Sequence, residues 1–384
     1  MAPNRPLFHR PDRHYVAGHR VTLLKNGREA YPAMLSAINA ARRQVLLEMY
    51  WFDSGRIGRR IALALAAAAR RGVEVALLYD SLGSVEAEGE MFAALRAAGV
   101  HVVEFNPIAP WRERFNLEKL SRRDHRKILV VDGQVGFTGG INISDLWLPE
   151  EEGGEGWRDD MVRVEGPAVG GFVEIFRRTW RREGGHRLKQ LAPAPKDVPM
   201  AGAQSVRVLG EAFARHRREI VRAYLFHIYK ATERVWIANS YFVPDGVVLR
   251  ALVRAARRGV DVRVLVPGRS DVLVVQLASR AIYDKLLAAG VRLFEWQGNV
   301  LHSKTAVIDG NWSTIGTFNL DYRSLRSNLE VNVTILDARF GAVMEQSYLS
   351  DLENSIEVAP RAKTLVTLPG RMLENTLYRF RKLL

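Results

Sequence analysis

The chain has 384 residues, 47% of them hydrophobic, so it can bury a sizeable core, and its length predicts two domains. The formal net charge of +14 predicts an anionic partner, which leaves phosphate backbones, acidic lipid headgroups and phosphorylated substrates open. Because cysteine is absent, disulfides, thiolate nucleophiles and cysteine metal sites are excluded.

The chain begins with a polar, basic stretch, residues 1–20, that contains no apolar segment. Such a stretch predicts neither a secretory signal nor a membrane anchor. The sequence contains no uninterrupted apolar run of about 18 residues, so no membrane-spanning helix is expected. We therefore expect a protein that is soluble or lies on a membrane surface.

Three segments recur in the same order in the two halves of the chain, which indicates an internal duplication. Each reads as a short apolar strand or as a helix that ends in glycine and leads into such a strand. Strands that alternate with helices predict an α/β fold in which a mixed sheet carries helices on both faces. The pairs are VLLEMYWF (45–52) with VWIANSYF (235–242), AARRGVEVALL (68–78) with AARRGVDVRVL (255–265), and AAGVHVVEF (97–105) with AAGVRLFEW (288–296).

The boundary between the halves is predicted where proline and alanine cluster and the periodicity ends, in residues 186–204. This places a first domain in residues 1–190, a linker in residues 191–204 and a second domain in residues 205–384. Each predicted domain contains one copy of a longer motif, HRKILVVDGQVGFTGGIN (125–142) or HSKTAVIDGNWSTIGTFN (302–319).

Both motifs carry five residues at the same spacing. They are His125, Lys127, Asp132, Gly139 and Asn142 in the first motif, and His302, Lys304, Asp309, Gly316 and Asn319 in the second. Residues i and i+2 of a strand project from the same face, so each histidine points to the same side as the lysine that follows it. The apolar residues after Lys127 predict a strand buried on both faces, which holds the two polar side chains at its start.

A histidine beside a lysine and an asparagine suits the binding and attack of a phosphate group. The lysine supplies a positive charge and the amide supplies a neutral donor for phosphoryl oxygens. One histidine can form a covalent phospho-histidine while a second protonates the leaving oxygen, provided that the halves pack about a pseudo-twofold axis. The alternative is that these residues only flank a strand and shape a turn, and two complete copies make that coincidence rare.

The pattern H-x-K-x4-D-x6-G-x-x-N, present twice, resembles the phospholipase D superfamily, and the resemblance covers nearly the whole chain. The flanking segments are similar to bacterial cardiolipin synthases of the branch without N-terminal transmembrane helices, and they include GGINI, WRDDMVRVEGPAV, NSYFVPD and GTFNLDYRSLRSNLEVNV. The resemblance implies two tandem phospholipase D-like domains, each a mixed β-sheet flanked by helices. It also implies a pseudo-twofold axis with the active site at the domain interface.

The resemblance assigns a role to each motif residue. It implies that His125 is the nucleophile and His302 the general acid and base. Four further side chains are implied to hold the substrate phosphate, namely Lys127, Lys304, Asn142 and Asn319. Asp132 and Asp309 complete the catalytic motif, and in relatives they mainly orient it. The residue after the motif glycine is often serine in the superfamily; here it is Gly140 or Thr317, and Thr317 retains a hydroxyl as a candidate phosphate ligand.

Histidine-dependent sites use carboxylates to set the imidazole tautomer and to stabilise its charged form. Alignment of the halves puts Asp159 and Glu330 in equivalent positions at the start of a strand, so we expect each to orient one catalytic histidine. The alternative is that both are solvated or paired with other ions. No metal site and no cofactor is predicted, because the nine histidines show no ligand spacing and phosphate chemistry at histidine needs no metal.

Two segments mix apolar or aromatic side chains with basic ones, as segments on an anionic membrane surface do. One is residues 105–125, an insertion relative to the second half that leads into His125. The other is residues 371–384, in which one predicted helical face carries Leu373, Leu377, Phe380 and Leu384. The alternatives are core-facing amphipathic helices and a surface for single-stranded nucleic acid.

The resemblance implies a phosphatidyltransferase that converts two molecules of phosphatidylglycerol to cardiolipin and glycerol through a covalent phospho-histidine. It implies an anionic phospholipid substrate and a peripheral position on the cytoplasmic face of the bacterial inner membrane. Two alternatives stay open: a phospholipase D-type phosphodiesterase that hydrolyses phospholipid or nucleic acid, and a catalytically silent module that binds either. Nucleic acid is the less favoured partner, and the sequence leaves the acceptor alcohol and the oligomeric state open.

Overall fold

The computed structural model describes residues 14–111, 114–117, 120–189, 198–210, 218–359 and 368–380. Within these residues, helices pack on both faces of one sheet of 15 strands. The strands of the first half are β1 (Val16–Lys25), β2 (Gln44–Met49), β3 (Glu74–Asp80), β4 (His101–Phe105), β5 (Lys127–Val131), β6 (Val135–Gly139) and β7 (Asp160–Glu165). Its helices are α1 (Asn26–Ala40), α2 (Arg56–Arg70), α3 (Gly89–Ala97) and α4 (Val169–Arg182).

The second half repeats this series and extends it. Its strands are β8 (Gln204–Gly210), β9 (Arg234–Asn239), β10 (Asp261–Pro267), β11 (Arg292–Trp296), β12 (Lys304–Ile308), β13 (Trp312–Gly316), β14 (Val331–Leu336) and β15 (Ser355–Glu357). Its helices are α5 (Glu219–Lys230), α6 (Gly246–Arg257), α7 (Leu273–Arg280), α8 (Tyr283–Leu287), α9 (Tyr322–Arg326), α10 (Ala338–Glu353) and α11 (Leu368–Arg379).

The strand order shows how the two halves are related. It runs β15-β11-β10-β9-β12-β13-β14-β8-β1-β7-β6-β5-β2-β3-β4, so the same order repeats outward from the central pair β8 and β1. These two strands are antiparallel, with Val16 opposite Val206, as a pseudo-twofold axis between them requires. In each half three strands are parallel and the others antiparallel. The predicted fold of two tandem α/β domains with mixed sheets is confirmed.

The duplicated helices form for local reasons that the sequence repeats. In α2 the buried residues Ile57, Ile61, Leu65 and Ala68 recur every three or four positions and give one apolar face. Its counterpart α6 is capped by Asp245, whose side chain accepts hydrogen bonds from two backbone N–H groups. Both helices lead into a glycine with positive φ, Gly72 or Gly259, where other residues are strained.

The buried core joins the two halves. Along β2, Leu46 belongs to one apolar cluster and Leu47 to another, because successive side chains point to opposite faces of the sheet. The cluster around Leu46 contains residues of both halves, including Phe172 of α4 and Phe340 of α10. The halves therefore share a continuous apolar layer, which keeps the ends of their strands in fixed relative positions.

The domain boundaries remain a prediction. Strand β8 begins at Gln204, the last residue of the linker predicted in residues 191–204. Residues 191–197 of that linker lie outside the described residues.

The segment of residues 105–125, for which lipid contact stays a prediction, has both exposed and buried side chains. Trp111 and Leu117 are exposed, with 84% and 72% of their surface accessible. Arg123, however, is buried and pairs with Asp80 at 3.3 Å, so its side chain is not available to a membrane surface. Two basic residues of the prediction, Arg112 and Lys119, lie outside the described residues. No α-helix occurs in the described part of this segment, so the alternative of a core-facing amphipathic helix does not apply to that part.

The predicted C-terminal amphipathic face is divided between the protein and the solvent. Leu377 packs beside the buried residues Val243 and Val275, so this part of α11 contacts the second domain. Leu373 and Phe380 are exposed. Residues 381–384, which complete the predicted face, lie outside the described residues.

Candidate active site

The two motif histidines lie at the seam between the halves, each at the start of a central strand. The backbone N–H of His125 donates to the carbonyl of Leu329 at 3.0 Å, and the N–H of His302 donates to the carbonyl of Arg158 at 2.7 Å. Each bond crosses from one half to the other. The residue after Leu329 is Glu330, and the residue after Arg158 is Asp159, so this docking also brings the two predicted carboxylates to the histidines.

Each histidine pairs with the carboxylate of the opposite half. Nδ1 of His125 lies 3.1 Å from both carboxylate oxygens of Glu330, and Nδ1 of His302 lies 2.8 Å from Oδ2 of Asp159. A carboxylate only accepts hydrogen bonds, so each Nδ1 carries the proton and each Nε2 is left with a lone pair. Both histidines line the same cavity. The arrangement therefore offers two activated imidazoles to one ligand.

The surroundings of Glu330 favour the ionised form of its carboxyl group. Burial raises the pKa of this carboxyl, but His125 and the hydrogen bonds from His125 and Thr317 outweigh burial and hold the pKa below its usual value. The hydroxyl of Thr317 donates to Glu330 behind the histidine, and Thr317 does not line the cavity. The prediction that Thr317 binds phosphate is therefore corrected: its hydroxyl is already bonded to the carboxylate that holds His125.

Asp159 has different hydrogen-bond donors from Glu330. The indole N–H of Trp147 donates to Oδ2 of Asp159 at 3.0 Å, and the backbone N–H of Asp160 donates to Oδ1 at 2.8 Å. Burial raises the pKa of Asp159 to about 6. A Cβ on Gly140 would lie 2.1 Å from Oδ1 of Asp159, so only glycine fits beside this carboxylate. The difference between Gly140 and Thr317 thus reflects two different supports for the two carboxylates.

The two motif lysines are buried next to the histidines. Both are about 1% exposed, and the ammonium of Lys127 donates to the carbonyl of His125 at 2.7 Å. The ammonium of Lys304 donates to the hydroxyl of Ser240 at 2.8 Å and to the carbonyl of His302. Burial lowers the pKa of Lys127 to about 7 and that of Lys304 to about 8. Both ammonium groups are thus poised to gain from a nearby anion, which would stabilise their charged form.

Anion affinity should therefore depend on pH. An anion binds best when both lysines are protonated, so we expect the affinity for sulfate to fall about tenfold or more between pH 6 and pH 9 as Lys127 and Lys304 lose their protons. Isothermal titration calorimetry over this range measures the change. The matched control is the double variant Lys127→Arg, Lys304→Arg, whose guanidinium groups stay charged. A wild-type affinity as flat with pH as that of the control would contradict the expectation.

The two motif asparagines also line the cavity. Oδ1 of Asn142 accepts a hydrogen bond from the backbone N–H of Trp51 at 3.2 Å, and Oδ1 of Asn319 accepts one from the hydroxyl of Ser240 at 2.8 Å. Since the amide oxygens are used in this way, the amide nitrogens are the groups that can donate to a ligand. The histidines and asparagines of both motifs thus meet at one cavity, whereas the lysines are buried next to the histidines and do not line it.

The cavity is larger than a phosphate group and has walls that the motifs do not supply. It measures about 750 Å³. The ring of Tyr50 lies 5.0 Å from that of His125, and the rings of Trp147, Trp157 and Tyr241 lie within 5.3 to 6.1 Å of that of His302. Sequence reasoning missed these aromatic residues as site residues. Tyr50 and Tyr241 fall in the repeated segments VLLEMYWF and VWIANSYF, and their place at the end of a strand beside the motif strand was the available signal.

Comparisons with known proteins show the family to which this chain belongs. A family model described as "Cardiolipin synthase, PLD-like domain" matches residues 34–180 and 224–352. The chain is 36% identical to the cardiolipin synthase of Geobacillus thermodenitrificans, over 92% of this chain and 71% of the relative. It belongs to the cardiolipin synthase family of the phospholipase D superfamily. The predicted family and enzyme class, a phosphatidyltransferase, are confirmed.

Other members and more distant structures complete the comparison. The chain is 36% identical to cardiolipin synthase A of Pseudomonas entomophila, over 89% of this chain and 70% of the relative. A probable cardiolipin synthase of Bacillus subtilis is 33% identical, over 88% and 67%. The crystal structure of phosphatidylserine synthase from Haemophilus influenzae superposes with a TM-score of 0.72 at 13% identity, covering 96% of this chain and 97% of that one. At that identity the likeness shows a shared fold.

The motif aspartates of this cardiolipin synthase family member do not reach the cavity. Asp132 follows the far end of β5, and its carboxylate accepts hydrogen bonds from the backbone N–H groups of Arg42, Arg43 and Gln44. Asp309 makes the same contacts with residues 232–234 in the second half. The prediction that Asp132 and Asp309 belong to the catalytic residues is therefore corrected, because neither side chain lines the cavity. They tie a turn to the neighbouring strand, as the expectation that they orient the motif anticipated.

Removal of one of these aspartates should reduce stability. Asp132→Ala removes the acceptor of three backbone donors and puts alanine at a φ of 53°, so we expect the free energy of unfolding to fall by about 3 kcal/mol. Urea denaturation measures this loss. Asp132→Asn, which tolerates the backbone and keeps one acceptor, should lose less. Equal stability of the alanine variant and the wild type would contradict this structural role.

The positions of the histidine and carboxylate side chains bear on whether this family member could hold a metal ion. In the described part of the chain, no three histidine or carboxylate side chains form a group that could hold a metal ion. The independence from metals and cofactors stays a prediction.

Across the described ranges, no helix is both long enough and apolar enough to cross a bilayer.

Proposed function

We propose that this chain transfers a phosphatidyl group from one phosphatidylglycerol to another, giving cardiolipin and glycerol, with His125 as the nucleophile. The observation that carries the proposal is the crossed pairing of His125 with Glu330 and of His302 with Asp159 at one cavity. Nε2 of neutral His125 supplies the nucleophile, and Nε2 of His302, protonated once the anionic phosphodiester is bound, supplies the proton donor to the same phosphate.

In the first step, Nε2 of His125 attacks the phosphorus of phosphatidylglycerol. His302 enters this step as the imidazolium, which the anionic phosphodiester stabilises. The P–N bond forms, the P–O bond to the glycerol headgroup breaks, and His302 donates its Nε2 proton to the departing oxygen. The ammonium groups of Lys127 and Lys304 offset the charge on the phosphoryl oxygens. Glu330 stabilises the positive charge that develops on the imidazole of His125.

In the second step, the headgroup hydroxyl of a second phosphatidylglycerol replaces the glycerol. His302, now neutral, takes the hydroxyl proton, the new P–O bond forms and the P–N bond breaks. His125 returns to its neutral state and the product is cardiolipin. Water in place of the second lipid would give phosphatidic acid, so the chemistry of hydrolysis and of transfer differs only in the acceptor.

The mouth of the cavity supports a membrane surface as the source of both lipids. Leu82 and Val85 follow β3 and Val272 and Leu273 follow β10, which are corresponding strands of the two halves. All four side chains are exposed, and Leu82, Val85 and Val272 line the cavity. Exposed apolar residues at the entrance of a cavity that takes a lipid suit contact with acyl chains, and the net charge of +14 suits an anionic surface.

The proposed reaction is tested with vesicles of phosphatidylglycerol and mass spectrometry of the products. The expected result is cardiolipin and free glycerol in equal amounts from the wild type. Phosphatidic acid without cardiolipin would overturn the assignment of the acceptor. Cleavage of oligonucleotides in place of any lipid turnover would favour the nucleic-acid phosphodiesterase.

The membrane contact gives a separate prediction. Leu273→Asp places a charge at the exposed mouth without altering a cavity residue, so we expect turnover of vesicles to fall about tenfold. Turnover of a monomeric short-chain phosphatidylglycerol should change much less, because no bilayer is involved. The matched control is Val343→Asp on α10, an exposed valine that does not line the cavity. Equal losses on vesicles and monomers would argue against membrane contact.

A further inference from the structure

One departure of the cavity from pseudo-twofold symmetry lies at a pair of equivalent positions. Leu146 and Arg323 each lie four residues after the asparagine of their motif, and both line the cavity. One wall therefore presents an aliphatic side chain where the opposite wall presents a guanidinium. A symmetric site for one phosphate does not need this difference.

The guanidinium charge of Arg323 acts on its neighbours Asp321 and Tyr50 without a hydrogen bond or ion pair to either. Arg323 lies in the short helix α9, whose start is fixed by Asp321, since that carboxylate accepts the backbone N–H of Ser324 at 2.7 Å. Its side chain is half-buried, and among the described residues it forms no hydrogen bond or ion pair. Arg123, the other arginine of the cavity wall, pairs with Asp80 instead. A partly desolvated guanidinium without a partner is costly unless a ligand supplies one.

Arg323 also stands apart from the groups that hold the reacting phosphate. Lys127 and Lys304 are buried next to the histidines, whereas Arg323 is part of the cavity wall. The charge of Arg323 acts on Tyr50, and the ring of Tyr50 contacts His125. Arg323 can therefore attract an anionic ligand that lies in the same cavity. A cavity of about 750 Å³ has room for more than the transferred phosphate.

We propose that Arg323 binds the phosphodiester of the acceptor phospholipid. This inference rests on the proposed transfer between two phosphatidylglycerol molecules. The acceptor carries its own phosphodiester a few atoms from the attacking hydroxyl, whereas water and simple alcohols carry none. A guanidinium binds phosphate oxygens through two parallel hydrogen bonds, which fixes orientation as well as charge. Arg323 thus selects a phospholipid acceptor over water.

The test measures the choice of acceptor. Phosphatidylglycerol vesicles are supplied with ethanol, so that cardiolipin and phosphatidylethanol form in competition from the same phospho-histidine. We expect the ratio of cardiolipin to phosphatidylethanol to fall about tenfold or more in Arg323→Gln, and to fall less in Arg323→Lys, which keeps a charge but loses the two-pronged contact. The matched control is Arg326→Gln, an exposed arginine of the same helix, and its ratio should equal that of the wild type.

Three results would overturn the assignment. A ratio unchanged in Arg323→Gln removes any role in acceptor choice. A parallel loss of both products, with a wild-type unfolding midpoint, assigns Arg323 to the transferred phosphate. A wild type that forms phosphatidylethanol and phosphatidic acid but no cardiolipin overturns the proposed function, and the role of Arg323 with it.

Discussion

Replacement of His125 by alanine is expected to lower the rate of phosphatidyl transfer by about four orders of magnitude or more. The variant lacks the atom that forms the covalent bond to phosphorus, so neither transfer nor hydrolysis has a route through the intermediate. The vesicle assay with mass spectrometry measures the loss. Acid-quenched protein incubated with phosphorus-labelled phosphatidylglycerol should carry no label.

The variant His302→Ala tests the role of the second histidine as proton donor and base. Its nucleophile is intact, but the leaving glycerol receives no proton, so we expect a loss of about 100-fold to 10,000-fold in rate. Quenched His302→Ala protein should still carry labelled phosphate, because breakdown of the intermediate also needs the missing base. Label on His125→Ala but not on His302→Ala would show that the two histidines have the opposite roles.

Replacement of Glu330 by glutamine should reduce kcat about 1,000-fold while the KM for phosphatidylglycerol changes little. Glu330 contacts His125 and not the cavity, so it acts as a positioning residue. An uncharged amide no longer stabilises the imidazole of His125 as it becomes positively charged on attack at phosphorus. Steady-state kinetics on monomeric short-chain phosphatidylglycerol separates kcat from KM.

The matched control for Glu330 is Glu345→Gln. Glu345 pairs with Arg234 at 3.2 Å, and it does not line the cavity, so its loss removes an ion pair without touching the histidines. The control should retain the kcat of the wild type. A Glu330→Gln variant that loses stability but keeps kcat would show a purely structural role. Asp159→Asn should act on His302 in the same sense as Glu330→Gln acts on His125.

The crossed pairing explains why the two halves have to pack together for activity. Each half contains a histidine and a carboxylate, yet the carboxylate of one half holds the histidine of the other. The backbone bonds from His125 to Leu329 and from His302 to Arg158 place both pairs at once. A separated half would therefore have a histidine without its orienting carboxylate, and we infer that neither half completes a site alone.

Sequence reasoning reached the fold and most of the residues at the cavity because both leave local patterns. Strand and helix recur with the same glycine-terminated pattern in each half, and the motif spacing puts His125 and Lys127 on one face of a strand. The equivalence of Asp159 and Glu330 could likewise be read by aligning the halves. Thr317 was misjudged because a hydroxyl next to the motif does not reveal which neighbour accepts its proton.

The sequence by itself determined that the chain is a duplicated α/β protein with two phosphate-directed motifs, since spacing and apolar periodicity are properties of short segments. Only the tertiary structure decided which carboxylate holds which histidine, because that depends on how residues 205 positions apart, His125 and Glu330, meet across the pseudo-twofold axis. The same holds for Arg323. Its lack of a hydrogen-bond or ion-pair partner among the described residues and its place in the cavity wall follow from packing between distant segments, which no local pattern encodes.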